Sequence, residues 1–413
     1  AKLTVRVYDV SSVPTDGSPL VLLGEKEIKG NFDSARSVAE TGVVITTSYL
    51  NTGSFANDLY RHHPRYCGLN STEYQELAAD IAVNNSAPFT DRMVAELDVQ
   101  LDGTCDGMFQ IAAMQSGDSD EDRSNDGVLL SQFVRVLSFD MTTDFVDRDI
   151  PTHVGGAFSS GWLSSVYASQ NFAATLNVGS NYNSETGDWN QATFVLGFDI
   201  SGTAPKPFGY AEIPGSPLNQ YSTDLYQDHL RVVTTENNWS SQTERTQNKI
   251  FVLKLPEASE DTSSEMIKVG ESGHVGKPNE SVYSVRFIGP RAYIVTFERI
   301  DPFYIYDLSD PKEPTKLGEL EIPGFSSYLH PIVIEGVPFI LGIGEHVDEE
   351  SQRRAGVKIS LFDVSDEANP RENATFVDEG AYSTANNDFK AFRYLPQSQK
   401  LILPKSEWSR SER

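Results

Sequence analysis

The stretch Ile-Tyr-Asp-Leu-Ser-Asp-Pro at residues 305–311 decides the fold, because close copies of it recur along the chain. The copies are Leu-Gly-Phe-Asp-Ile-Ser (196–201), Leu-Phe-Asp-Val-Ser-Asp (361–366), Val-Tyr-Asp-Val-Ser (7–11), Leu-Ser-Phe-Asp-Met (137–141) and the looser Phe-Val-Leu-Lys-Leu (251–255). All but the last are short apolar strands that end at an aspartate, whose side chain can bond nearby backbone N–H groups in an Asx turn. A unit of roughly 55 residues therefore repeats, and such periods are typical of propellers, solenoids or arrays.

One copy of the unit, residues 282–324, resolves into four β-rich runs separated by turns at Gly289-Pro290, Asp301-Pro302 and Asp310-Pro311. The fourth run, Leu-Gly-Glu-Leu-Glu-Ile-Pro-Gly (317–324), has echoes at 23–30 and 208–215. Four-stranded units repeated head to tail are the blades of a β-propeller. The sequence thus predicts an all-β chain.

The same markers divide the chain into blades. Complete units are predicted at 31–156, 157–215, 216–276, 277–324 and 325–380, with half-units at 1–30 and 381–413 that can complete one another. If they do, the single domain 1–413 has six blades; the equal alternative is that each terminal half-unit lacks the rest of its own blade. The first complete unit is over twice the usual length, and its excess at 50–137 is predicted to be a decorated insertion, since ordered loops this long are usually functional.

Long consecutive strings carry a resemblance to a known family. They are Pro-Leu-Asn-Gln-Tyr-Ser-Thr-Asp-Leu-Tyr (217–226), Ser-Val-Arg-Phe-Ile-Gly-Pro-Arg (284–291), Asp-Pro-Phe-Tyr-Ile-Tyr-Asp (301–307) and Ile-Pro-Gly-Phe-Ser-Ser-Tyr-Leu-His-Pro (322–331). Over about 210–405 the chain resembles secreted proteins with a C-terminal β-propeller domain distantly related to WD40 repeats; the opening strand fits and the insertion does not. The resemblance implies an exported protein with seven or eight blades when intact, and it implies no particular activity.

Charge narrows the choice of partners. The chain has 33 basic and 59 acidic residues, a formal net charge of −26. A field of that sign repels phosphate backbones and anionic lipids. No run approaches the 18 apolar residues of a membrane helix. We therefore expect no nucleic-acid partner and no membrane insertion in this chain.

Cysteines and glycosylation sequons indicate an oxidising environment. Cys67 and Cys105 are the chain's two cysteines and lie in the same insertion, so a disulfide between them is predicted. Five Asn-x-Ser/Thr sequons predict N-glycosylation at two or more of Asn70, Asn84, Asn238, Asn279 and Asn373. Together they favour a secreted, extracellular or cell-surface glycoprotein.

An acidic run in the insertion is the candidate metal site. Asp118, Asp120, Asp122 and Asp126 alternate as the oxygen ligands of a calcium loop do, so Ca²⁺ is the expected cofactor. The run departs from the EF-hand pattern, however, because Arg123 stands at its glycine position and Leu129 at its glutamate position. A solvated acidic loop is the favoured interpretation, and a calcium loop is the alternative.

The sequence gives less information about function than about the fold. The first strand of each blade lines a propeller's central channel, which makes Asp224, Arg286, His330 and Lys390 candidate channel-lining residues. The sequence has neither a Gly-x-Ser-x-Gly elbow nor a His-Glu-x-x-His motif. The favoured interpretation is a secreted, non-catalytic binding or matrix-assembly module, stabilised by calcium, that recognises a protein or glycan or assembles with itself. The alternative is an extracellular hydrolase or lyase with its site at the channel mouth.

Overall fold

A computed structural model describes residues 2–11, 19–38, 40–49, 108–109, 132–142, 145–159, 161–183, 188–237, 245–257, 264–297, 301–322, 324–348 and 353–407. In this part of the chain the secondary structure is β, and the helical elements are short 3₁₀ turns. The prediction of an all-β fold built from four-stranded sheets is confirmed.

The first two sheets lie in the N-terminal part of the chain. In the first sheet, β1 (Lys2–Asp9) pairs with β2 (Val21–Lys29). The second sheet contains β3 (Asn31–Val38), β4 (Thr41–Tyr49), β5 (Met108–Phe109), β6 (Gln132–Asp140) and β7 (His153–Ser159), in the order β3-β4-β6-β7-β5. The two residues of β5 run parallel to β7 and extend the edge of the sheet. Within the predicted insertion, the structure describes these two residues and the part that lies in β6.

In each of the next four sheets, the strands pair in chain order. The third has β8 (Trp162–Ala168), β9 (Phe172–Asn183), β10 (Asp188–Asp199) and β11 (Lys206–Pro214). The fourth has β12 (Thr223–Tyr226), β13 (His229–Asn237), β14 (Thr246–Lys254) and β15 (Ile267–Glu271). The fifth has β16 (Ser281–Ile288), β17 (Arg291–Phe297), β18 (Asp301–Asp307) and β19 (Thr315–Ile322).

The sixth sheet has β20 (Phe325–Ile334), β21 (Val337–Val347), β22 (Arg354–Asp363) and β23 (Arg371–Glu379). Two short pairs follow it: β24 (Ala381–Tyr382) with β27 (Ser406–Glu407), and β25 (Arg393–Leu395) with β26 (Lys400–Ile402). The predicted unit boundaries fall in turns between sheets, with one difference: β7 continues past residue 156 to Ser159. Completion of one blade by the two terminal half-units stays a prediction.

The chain comprises two compact units. The first comprises Ala1–Gly179, Leu196–Tyr210 and Ala258–Ser264, and the second comprises Ser180–Val195, Ala211–Glu257 and Glu265–Arg413.

Within each unit the core lies between consecutive sheets. Val43 and Val136 of the second sheet pack with Val166, Leu196 and Phe198 of the third. In the second unit, one cluster joins the fourth and fifth sheets and another joins the fifth and sixth. Residues 250–253 of the middle strand β14 are all buried, because both faces of the sheet are covered there, and they form a continuous apolar run. Burial of each such side chain stabilises the fold by about 1.5–3 kcal/mol.

The recurring aspartate ends the third strand of the complete blade. Asp307 Oδ1 accepts hydrogen bonds from Ser309 N at 2.8 Å and from Ser309 Oγ at 2.6 Å. The aspartates of four other copies of the motif accept the same Asx-turn bond from the backbone N–H two residues on: Asp9, Asp140, Asp199 and Asp363. Lys254 takes this position at the end of β14. The motif that revealed the repeat therefore serves as a strand terminator.

The sequence repeated on the fourth strands β11 and β19 ends at a glycine for a steric reason. Gly215 and Gly324 have φ of +78° and +86°, a left-handed conformation that glycine adopts without strain. A Cβ at Gly324 would lie 2.7 Å from the carbonyl oxygen of Glu345, on the second strand of the next sheet. Each glycine thus turns the chain from the last strand of one sheet toward the first strand of the next.

Candidate functional site

A concave cavity of about 250 Å³ lies in the second unit, beside the starts of β16 and β20. Its floor includes the buried residues Phe325, Tyr328 and Asn386, while the exposed Leu218 and Arg354 stand at its rim. The remaining wall comes from the turn before β12 and from the 3₁₀ turns that follow β24. Segments far apart in sequence therefore build one site.

Five aromatic residues line part of the cavity wall: Tyr221, Tyr283, Phe325, Tyr328 and Phe389. The Tyr221 ring meets the Phe389 ring edge to face, with centroids 4.8 Å apart, and the Tyr283 ring meets Phe325 in the same way at 5.0 Å. Such contacts add about 0.5–1.5 kcal/mol per pair beyond burial. The rings are consequently held in place before anything binds.

Two bulges direct side chains into the cavity. Tyr283 on β16 and Ser327 on β20 have no register partner on the neighbouring strand, because the pairing skips from Val282 to Ser284 and from Ser326 to Tyr328. The first strands β3 and β8 have bulges at the matching places, Asp33 and Ser164. An extra residue bends a strand and redirects its side chain, which is why bulges occur near functional sites.

Asn386 is the unusual polar residue of the floor. It is 8% exposed, and neither its Oδ1 nor its Nδ2 has a hydrogen-bond partner among the described residues. Its backbone N–H is satisfied by Ser383 O at 3.2 Å, so the residue is fixed in a 3₁₀ turn. A buried carboxamide without partners costs about 1–3 kcal/mol. Both amide atoms are shielded from solvent, so this cost is carried by the folded chain itself.

An ion pair stands at the rim. Arg354 Nε lies 3.0 Å from Glu345 Oε2, and Arg354 Nη1 donates to Glu345 Oε1 at 3.3 Å. The guanidinium also lies 5.2 Å above the Phe325 ring, a cation–π distance. The two charges balance one another, so this edge of the cavity offers hydrogen-bonding groups with little net charge.

A second polar group lies next to the wall. Tyr328 Oη and His330 Nδ1 are 3.2 Å apart, and burial raises the pKa of Tyr328 to about 12. Burial, and then the positive charge of Arg286, lowers the pKa of His330, so this imidazole is neutral at pH 7. The guanidinium of Arg286 lies 4.8 Å above the Tyr221 ring.

Three of the four channel-lining candidates lie on the first strands of their sheets, and the structure brings two of them together. Arg286 on β16 and His330 on β20 act on one another electrostatically. Asp224 on β12 instead binds Arg231, a guanidinium that is 2% exposed and donates to Gly289 O at 2.7 Å. Lys390 is exposed in a 3₁₀ turn rather than on a strand.

Several predicted residues lie outside the described part of the chain: Cys67, Cys105, Asn70, Asn84, Asn238, Asp118, Asp120, Asp122 and Asp126. Of the two described sequon asparagines, Asn373 is exposed on β23. Asn279 is half-buried, has φ of +70° and accepts from Arg245 N at 2.8 Å. In the residues that the structure describes, no group of three His, Cys, Asp or Glu could hold a metal ion, and no helix has the length and apolarity needed to cross a membrane.

The cavity residues were missed by sequence reasoning, although a signal for them exists. The pair Tyr-Ser recurs at 221–222, 283–284 and 382–383. These positions lie at the beginning of the fourth sheet, of the fifth sheet and of the short pair β24–β27. In each pair the serine is buried. Ser284 Oγ donates to Ser326 O of the next sheet at 2.8 Å. Two of the tyrosines, Tyr221 and Tyr283, line the cavity, three positions before Asp224 and Arg286.

Repeated four-stranded sheets, cores between consecutive sheets and a cavity beside their first strands define a β-propeller with a concave site. The chain belongs to the beta propeller domain family, whose profile matches residues 1–413. The expected restriction of the resemblance to the C-terminal part is wrong, because the match also includes the insertion at 50–137.

Two curated relatives are uncharacterized proteins. The one from Methanocaldococcus jannaschii is 37% identical over 193 residues, which cover 47% of this chain and 28% of that protein. The one from Archaeoglobus fulgidus is 37% identical over 196 residues, 48% of this chain and 27% of that protein. The chain thus matches little more than a quarter of the length of either relative.

Solved structures give weaker likenesses. A mutant of Synechocystis apocarotenoid oxygenase is 9% identical with a TM-score of 0.35, covering 61% of this chain and 60% of that one. The β-propeller domain of the trilobed protease from Pyrococcus furiosus is 11% identical with a TM-score of 0.28, covering 54% and 59%. At these TM-scores neither likeness carries an argument about function.

Proposed function

We propose that this chain is a binding module, a β-propeller that holds a protein or glycan partner in the cavity beside β16 and β20. The observation that carries the proposal is the group of pre-packed aromatic rings in a concave wall that also carries polar side chains. Concave sites that combine aromatic side chains with convergent polar groups are typical of ligand sites. A site that is rigid before binding loses little conformational entropy on binding.

A cavity-filling variant tests this proposal. Ser327 lines the cavity and is half-buried, so Ser327→Phe is expected to occupy it without disturbing the core. Binding to glycan and peptide arrays should be lost in this variant and retained in Ser406→Phe, a matched change at an exposed position on β27. Equal array binding by both variants and the unaltered protein would place partner recognition elsewhere.

A hydrolase or lyase acting in the same cavity is the second candidate. It is favoured by the neutral His330, whose Nδ1 lies 3.2 Å from the hydroxyl of the wall residue Tyr328, since a neutral imidazole can accept a proton. Turnover of a bound ligand, abolished in His330→Gln while binding is retained, would support the enzyme. Binding without turnover supports the module.

We also propose that the protein is a glycoprotein that acts outside the cell, where it takes part in matrix assembly or assembles with itself. Its propeller would be distantly related to WD40 repeats. Support comes from five sequons, the exposure of Asn373 and the two cysteines of the insertion. The mass of protein from its native source should show glycans on two or more of the five asparagines and no free thiol at Cys67 or Cys105. An unmodified mass with two reactive thiols would contradict the extracellular assignment.

A further inference from the structure

Arg286 differs from the other two arginines that are buried or half-buried among the described residues of the second unit. Arg231 binds Asp224, and Arg291 binds Asp307. Arg286 is half-buried as Arg291 is, but its guanidinium has neither a carboxylate partner nor a hydrogen-bond acceptor among the described residues. Its nitrogen atoms are open to solvent, because none of them is a shielded atom without a partner. The guanidinium is therefore available to an acceptor from solution.

A second available nitrogen lies on the first strand of the next sheet. His330 Nδ1 is 3.2 Å from Tyr328 Oη, whereas its Nε2 is open to solvent and has no partner among the described residues. When the tyrosine hydroxyl donates to Nδ1, the neutral imidazole carries its proton on Nε2 and can donate it to a ligand. Burial, and then the charge of Arg286, lowers the pKa of His330, which shows that the two side chains are close. Two unused donors therefore lie near one another on β16 and β20.

The surroundings of these two donors favour an anion. Burial is the main influence on the pKa of both Tyr328 and His330, and among the described residues Arg286 is the one permanently charged group that acts on either. The Arg286 guanidinium lies 4.8 Å from the Tyr221 ring centre, and the His330 and Phe392 rings are 5.0 Å apart. An aromatic environment of this kind lowers the local polarity and strengthens an ion pair.

Geometry and charge select a carboxylate. A guanidinium presents a planar fork that binds a carboxylate or a phosphate through two parallel hydrogen bonds. The net charge of −26 repels a phosphate dianion more strongly than a carboxylate monoanion. Neither Arg286 nor His330 lines the cavity, although each contacts a tyrosine that does, Tyr221 and Tyr328 respectively. The site therefore lies beside the cavity, and it does not depend on the proposed function.

We propose that Arg286 and His330 form a carboxylate-binding site, in which the guanidinium donates to both carboxylate oxygens and His330 Nε2 donates to one of them. The carboxylate belongs either to a free small acid or to the C-terminus of a peptide, and the test distinguishes these two sources.

The test titrates acetate, benzoate and inorganic phosphate into the full chain by calorimetry, together with a short uncharged peptide whose C-terminus is free or amidated. Carboxylates should bind, and Arg286→Gln should weaken the binding at least tenfold. Arg286→Lys, which keeps the charge without the planar fork, should lose less. Arg393→Gln, at an exposed position on β25, should bind normally. Binding of acetate or benzoate identifies a free acid as the source, and binding of the free-terminus peptide alone identifies a peptide.

The NMR signals of the His330 imidazole give a readout that needs no variant of Arg286. A carboxylate held between the two donors stabilises the imidazolium, so the pKa of His330 should rise when the site is saturated. The spectrum of His330→Gln identifies the signal by its loss. Carboxylate binding that leaves this pKa unchanged would place the anion elsewhere and overturn the proposal.

Three further results would overturn the proposal. The first is equal carboxylate binding by the unaltered protein and by an Arg286→Gln variant that melts at the same temperature. The second is Arg286-dependent binding of phosphate without binding of any carboxylate, and the third is no binding of any carboxylate at millimolar concentration. If Arg286→Gln fails to fold, the NMR titration of the unaltered protein decides the matter.

Discussion

His330 is the residue through which pH should act on stability in the neutral range. Its lowered pKa, caused by burial and by Arg286, means that the folded state favours the neutral imidazole. Its contribution is therefore fully present above the unfolded pKa of about 6.5 and is lost as the pH falls from there through the folded pKa. We expect the free energy of unfolding to fall between pH 7.5 and 5, and to fall less in His330→Gln.

Urea unfolding at several pH values measures this. The exposed His153→Gln on β7 is the control and should keep the slope of the unaltered protein. If His330→Gln and the unaltered protein show parallel pH dependence, the imidazole is not held neutral by its surroundings.

Asp307 combines two interactions that substitution can separate. Burial alone would raise its pKa, but hydrogen bonds from Ser309 and the charge of Arg291 outweigh burial and lower it. Arg291 in turn bonds Glu367 of the next sheet at 2.7 Å. Asp307→Asn keeps an acceptor for Ser309 N and loses the ion pair, whereas Asp307→Ala loses both. We expect a destabilisation of about 1–2 kcal/mol for alanine and less for asparagine.

Chemical denaturation of the two variants tests this order. Asp310→Asn, which changes an exposed carboxylate three residues on, should alter stability by no more than about 0.5 kcal/mol. Equal losses for Asp307→Asn and Asp307→Ala would show that the charge matters and the Asx turn does not.

Among the elements, the turn from one sheet to the next depends on glycine. Gly324→Ala adds a Cβ 2.7 Å from Glu345 O at a φ of +86°, so both sterics and backbone conformation oppose it. We expect a loss of about 1–3 kcal/mol, measured by thermal or urea unfolding. Gly202→Ala, where no atom lies within 4 Å of the added carbon, should be close to neutral. Equal stability of these two variants would contradict the junction's steric role.

These same elements show what the sequence can predict. Asp307 and its copies, and the Gly215 and Gly324 junctions, act through neighbours within a few residues or at one fixed contact, so their repetition reveals the sheets. The cavity could not be predicted in this way. It forms only when residues 219–222, 283, 325–328 and 383–389 come together, which depends on the packing of whole sheets.

The bulge at Tyr283 illustrates the difference. A one-residue slip in register reverses which face a side chain occupies, and nothing local to Val282–Ser284 announces the slip. That Asn386 lacks partners is likewise a property of everything around it. Arg286 and His330 could be placed from their strands, whereas the rings and the amide could not.

For the whole molecule, the acidic run of the insertion predicts that calcium raises the stability of the fold. The five carboxylates between Asp118 and Asp126, Glu121 included, repel one another unless screened, at a cost on the order of 1 kcal/mol per close exposed pair. A bound Ca²⁺ stabilises the folded chain by mass action. The melting temperature should therefore be higher in millimolar calcium than in EDTA at matched ionic strength. If the melting temperatures in calcium and in EDTA are identical, both for the unaltered protein and for Asp120→Asn, the run is a solvated acidic loop.

The central proposal is that the concave site of the second unit holds the partner of this β-propeller. A crystal structure of the chain with the glycan or peptide that array binding selects tests it most directly. We expect the ligand in the cavity, packed against Tyr283 and the neighbouring aromatic rings. A ligand bound only elsewhere, with the cavity empty, would contradict the proposal.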